Sequence, residues 1–124
     1  MYYGHDDNVK FAELIGKTLS KIDNDSDEIV FTCEDGTKYK QYHDQDCCES
    51  VSVEDIAGDL ADLIGSPILV ADESSSDDSV KPELESDSYT WTFYKLATVK
   101  GHVTIRWLGV SNGYYSESVS FAKL

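Results

Sequence analysis

The chain has 124 residues; Lys and Arg number 10 and Asp and Glu 24, a formal net charge of −14. That length suits one domain with a modest core. The charge excludes ordinary electrostatic binding to nucleic acid or to an anionic membrane surface, which both need a basic face. With 40% hydrophobic residues the chain is too apolar to be wholly disordered.

The apolar runs are too short to span a bilayer. The N-terminal MYYGHDD lacks the basic and apolar regions of a signal peptide, which predicts an intracellular chain. Residues 8–16 (NVKFAELIG) place Phe11, Leu14 and Ile15 on one side of a short helical turn. TLSKI, EIVFTC and TKYKQY then read as three strands, with turns at Asp23-Asn24-Asp25-Ser26 and Glu34-Asp35-Gly36. Asp-Gly between β-rich runs is a strong hairpin signal. Residues 52–65 (SVEDIAGDLADLIG) predict the main helix, at about 53–64. Ser52 with Asp55 resembles a capping box, Ile56, Leu60, Leu63 and Ile64 form one stripe, and Gly65 sits at the stop. Pro67 forbids continuation, and ILVA reads as a buried strand.

Residues 72–88 are rich in Ser and acids and read as a flexible acidic loop within a single domain, 1–124. Three long strands close the chain. YTWTFYKLATV and HVTIRWLGV join through Lys100-Gly101, and HVTIRWLGV and YYSESVSF through Asn112-Gly113, a favoured hairpin pair. The expected fold is α+β: a mainly antiparallel sheet or partial barrel of about six or seven strands, with one main helix across it. The expected core is Leu14, Ile22, Ile29, Phe31, Ile56, Leu60, Leu63, Ile68, Val70, Leu96, Val103 and Ile105.

Charge is distributed unevenly. Residues 41–80 hold 11 acids and no Lys or Arg, whereas residues 88–124 hold one acid, four bases and 8 of the 14 aromatics. Tyr42 to Glu49 (YHDQDCCE) is the densest polar cluster, and its side-chain types are metal ligands. Its spacing is poor for a metal: there is no Cys-x-x-Cys, and adjacent Cys47 and Cys48 do not easily ligate one tetrahedral ion. His43 with Cys47 or Cys48 is a candidate nucleophile pair, but Asp44, Asp46 and Glu49 push a thiol's pKa the wrong way for reactivity. No phosphate loop, nucleophile elbow or dinucleotide fingerprint occurs. The odd cysteine count, three with Cys33, reads as reduced thiols.

Arg106 is the only arginine. Alternation along HVTIRWLG puts it on one face with His102, Thr104 and Leu108, and the two expected turns place Lys95 and Val119 opposite it and Glu117 opposite Leu108. An Arg beside Lys95, His102 and aromatic rings suits a phosphate with a stacked base. The bland alternative is a surface Arg paired with an acid, which contributes little. Trp107, Asn112, Tyr114, Tyr115 and His43 complete the candidate ligand set; adjacent tyrosines on a strand point to opposite faces, leaving at least one at a surface. The acidic block at 41–80 suggests a second reading, imitation of a phosphate backbone, against the ordinary one of a solubilising surface.

The segments YHDQDCCES and TIRWLGVSNGYYSES, within a similarity spanning roughly residues 15–122, resemble a family of small proteins of unknown function from phages and prophages of Gram-positive and gut bacteria. The resemblance transfers no catalytic residue. It implies a setting in which small acidic accessory proteins often block host defence. The expectation is a non-enzymatic counter-defence protein of the host bacterial cytoplasm that binds a small nucleotide-derived immune signal, with no metal or cofactor. The alternative is an acidic inhibitor of a basic host defence protein. A hydrolase or metal enzyme at His43, Cys47 and Cys48 ranks last. Long strands and exposed tyrosines suggest a homo-oligomer.

Overall fold

The computed structural model describes residues 8–25, 27–43, 49–76, 88–111 and 118–124. Among these the chain is nearly all β. Eight strands form two four-stranded antiparallel sheets that share one core. The strands are β1 (Leu19–Asp25), β2 (Glu28–Cys33), β3 (Lys38–Tyr42), β4 (Ser50–Ala57), β5 (Val70–Ser76), β6 (Ser88–Thr98), β7 (Gly101–Ser111) and β8 (Ser120–Lys123). The first sheet has the order β1-β2-β3-β8 and the second β4-β7-β6-β5. The only helical elements among the described residues are two 3-10 turns, Phe11–Leu14 and Leu60–Leu63.

The α+β expectation is therefore corrected: the main helix at 53–64 does not form. Val51, Val53 and Ile56 all face the core from β4, and the register against β7 slips between Val53 and Asp55. That bulge inserts one residue into the period-2 pattern, so the apolar spacing passes for a helical one. Gly58 then takes φ of +107°, outside the helical range, and a Cβ there would lie 2.5 Å from the His102 carbonyl oxygen. Leu60–Leu63 manages a single turn, with the Asp59 carboxylate accepting from the Ala61 amide at 2.9 Å. Ser52 and Asp55 lie in strand β4 and cap nothing helical.

The early hairpins stand close to their sequence signals. In the Asp35-Gly36 turn, Asp35 Oδ1 accepts from the Thr37 amide at 2.9 Å and Gly36 supplies φ of +91°. The β6–β7 hairpin forms, but its turn is Val99-Lys100, so Phe93 rather than Lys95 stands opposite Arg106. The expected pairing of β7 with the last strand is overturned. β8 joins the other sheet, with Phe121 opposite Gln41, and the second neighbour of β7 is β4. Asp55, not Val119, therefore faces Arg106, and Ser52 and Trp91, not Glu117, flank Leu108. Residues 72–76, read as loop, extend β5, while residues 77–87 and the Asn112-Gly113 turn lie outside the described residues.

Between the sheets lie Phe31, Tyr39 and Phe121 from the first and Tyr94, Leu96, Val103, Ile105 and Trp107 from the second, with Phe11 wedged among Phe31, Tyr94 and Phe121. Most expected core residues are buried or packed against this cluster, but Val70 is exposed, as is Ile15. Trp107 Nε1 donates to Gln41 Oε1 at 3.0 Å, a hydrogen bond that crosses the core from one sheet to the other.

Candidate functional site

The cross-strand register defines what shares the outer face of the second sheet. Arg106 stands between Asp55 on β4 and Phe93 on β6; Leu108 stands between Ser52 and Trp91; Thr104 faces Lys95, and His102 faces Ala97. Asp72 on β5 is opposite Lys95. Cross-strand partners project to the same side. Arg106, Lys95 and His102 thus occupy one face, as their alternation in sequence implies.

The Arg106 guanidinium lies 4.7 Å from the Trp91 ring centre, a cation–π contact. Its Nη2 is 4.0 Å from Asp55 Oδ2, at the outer limit of an ion pair, and both side chains are well exposed, so the pair contributes little. Its Nε is buried and has no hydrogen-bond partner among the described residues. Trp91 and Leu108 are buried on this outer face although neither belongs to the inter-sheet core. The result is an apolar floor carrying one planar cation, with a lysine and a histidine further along the sheet. A guanidinium so placed has the chemistry to pair with an anion.

Two other candidates are placed elsewhere. Trp107 points into the core and serves structure. His43 sits at the end of the sandwich where β3 leaves the first sheet. Its Nδ1 is 2.6 Å from the Ser118 carbonyl oxygen and its Nε2 2.7 Å from Glu49 Oε2, with both side chains nearly inaccessible. Both ring nitrogens are engaged by oxygens of the protein, so neither is open to a substrate or a metal. It ties the segments before β4 and β8 to the end of β3. Asn112, Tyr114 and Tyr115 lie outside the described residues, as do Cys47 and Cys48. Cys33 is a free, buried thiol whose pKa is pushed up by burial first and by Asp35 second, which makes it unreactive. No group of three His, Cys, Asp or Glu among the described residues can hold a metal ion.

Trp91 and Asp55 are the site residues that sequence reading missed. Trp91 carried a usable signal, since a β6–β7 hairpin puts it on the Arg106 face under any even register. Asp55 carried none, because its segment reads as a helix.

A model of a domain of unknown function, DUF7448, matches residues 12–121. The chain belongs to this family. No curated protein and no solved structure matches it. The DUF7448 match therefore spans both sheets of the sandwich and includes Arg106, Lys95, His102, Trp91 and Asp55. No helix of this DUF7448 chain, among the described residues, is long and apolar enough to cross a membrane.

Proposed function

We infer that this DUF7448 protein is a non-enzymatic, phage-encoded counter-defence protein of the host bacterial cytoplasm that sequesters a small nucleotide-derived immune signal. The observation that carries the reading is the Arg106 guanidinium laid on Trp91, with Lys95 and His102 on the same sheet face. Arg106 and Lys95 hold phosphate, and the half-buried Phe93 ring opposite Arg106 takes the base. The phage setting rests on the resemblance of the YHDQDCCES and TIRWLGVSNGYYSES segments.

The test is calorimetric titration of the full chain with a panel of cyclic di- and oligonucleotides, repeated with Arg106→Ala. Binding by the wild type that drops at least about a hundredfold in the variant supports the reading, as expected for a charge-assisted contact of roughly 3 kcal/mol. No binding to any member of the panel counts against it.

A second reading has its own observation. An open groove of about 370 Å³ between the edges of β1 and β4 is lined by Asn24, Val53, Glu54, Asp55 and Ile56. Asp23 and Asp25 flank it on β1. This is a surface for a basic host protein, with affinity that falls steeply as salt rises. Neutralising Asp23, Asp25 and Glu54 would weaken that partner and spare nucleotide binding.

A further inference from the structure

The strand ends put the β2–β3 turn, the second 3-10 turn, the β6–β7 turn and the start of β5 at one end of the sandwich. Every large apolar side chain that is exposed among the described residues lies at this end: Val99 at 77%, Leu69 at 54%, Ile15 at 50%, Leu124 at 48% and Val70 at 38%. Backbone hydrogen bonds draw four of them together. The Gly16 amide donates to the Ile68 carbonyl, and the Leu69 amide to the Ala97 carbonyl, which places Ile15, Leu69 and Val70 beside the hairpin that carries Val99.

The hairpin tip is held firmly. Thr98 pairs with Gly101, the Thr98 hydroxyl donates to the Asp62 carbonyl, and Lys100 Nζ donates to the Ile64 carbonyl at 2.7 Å. A two-residue hairpin turn ordinarily uses Asn, Asp or Gly. Here a β-branched valine occupies the tip and is more exposed than any other large apolar side chain described. Among the described residues, nothing inside the protomer covers its apolar surface.

Charge selects the occupant. At this end Lys17, Lys38, Lys100 and Lys123 nearly balance Glu13, Glu34, Asp35, Asp59 and Asp62, so all but one unit of the net charge of −14 belongs to the rest of the chain. A basic partner is drawn to that acidic remainder rather than to a nearly neutral end. A second copy of this acidic chain is repelled by that remainder and meets little repulsion here.

We propose that this apolar, nearly charge-balanced end is a self-association surface, at which two copies meet end to end about a two-fold axis with Val99 of each against Ile15 and Leu69 of the other. The contact is small, so the dimer is a weak one. It leaves the Arg106 face outside the contact, and it stands whether or not that face binds a nucleotide. Because the hydrophobic contact works against long-range repulsion between two acidic bodies, salt strengthens the dimer, the reverse of an ion-paired interface. The screening length falls from about 30 Å at roughly 10 mM salt to about 10 Å at roughly 100 mM.

The test is sedimentation equilibrium of the full chain over a wide concentration range at those two salt levels, with Val99→Asp and Ile15→Ser alongside. Both positions are at least half exposed, and thermal melts check that the variants stay folded. The expected result is a monomer–dimer equilibrium that tightens with salt and weakens at least about tenfold in Val99→Asp, since a two-fold axis counts each substitution twice. A wild type that stays monomeric, a dimer that salt weakens, or a dimer indifferent to both substitutions would overturn the proposal.

Discussion

Replacing Gly58 by alanine is expected to lower the melting temperature by roughly 8–24 °C. Two costs add. Gly58 has φ of +107°, and a side chain held in such a region is strained by about 1–3 kcal/mol. The new Cβ would also meet the His102 carbonyl oxygen at 2.5 Å and the Val103 Cα at 3.2 Å, both backbone atoms of the adjoining strand. Forcing a methyl into such a space costs about 1–3 kcal/mol more. The sum, about 2–6 kcal/mol, converts at roughly 4 °C per kcal/mol for a chain of this size. Gly36→Ala isolates the backbone part, because Gly36 has φ of +91° and its added methyl would meet no described atom within 4 Å. Its effect should be the smaller of the two. Differential scanning calorimetry measures both. A helix over residues 53–64 would give the opposite sign, because alanine is better than glycine in a helix by about 1 kcal/mol. A Gly58→Ala protein that melts at or above the wild-type temperature would refute the bulged strand and its close approach to β7.

Three further outcomes follow from buried polar groups. Glu49→Gln should destabilise by about 3–5 kcal/mol in urea titrations, because it removes one partner of a buried His43–Glu49 contact and leaves the imidazole facing an amide. His43→Leu removes the other member of the same contact, so the double variant should cost less than the two singles together. Tyr39 is held well above its ordinary pKa by burial and then by its hydrogen bond to Glu13, and Tyr94 by burial and then by Glu73. In the folded chain both stay neutral where free tyrosines ionise, so stability is complete below pH ~10 and declines above it as the unfolded chain gains tyrosinates. Absorbance at the tyrosinate band should therefore rise in two stages, the second coincident with unfolding.

The legible parts of the fold were those set by local chemistry. Asp35-Gly36 marks its own turn, and the alternation of Ile29, Phe31 and Cys33 gives the buried face of β2 directly. The helix error has a local cause too, since one bulged residue between Val53 and Asp55 makes strand spacing imitate a helical stripe. The misplaced last strand has none. Residues 120–123 pair with β3, some eighty positions earlier, and the choice between β3 and the adjacent β7 rests on which sheet edge is open. The Arg106 face was half legible. Period-2 alternation correctly grouped Arg106 with His102, and a hairpin off by one turn position still kept Lys95 on that side, because the register moved by two. The same alternation put Trp107 on the opposite face, where its indole reaches Gln41. His43 was singled out for its chemistry, but its neighbours Glu49 and Ser118 come together only through the crossing of the chain between sheets.

The most direct test of nucleotide sequestration is a native mass spectrum of the protein purified from bacteria with active nucleotide-signalling immunity, beside the same preparation of Arg106→Ala. The reading predicts a stoichiometric excess mass that matches a nucleotide derivative in the wild type and is missing from the variant. A wild-type mass equal to the bare polypeptide, or the same adduct retained without Arg106, would contradict it.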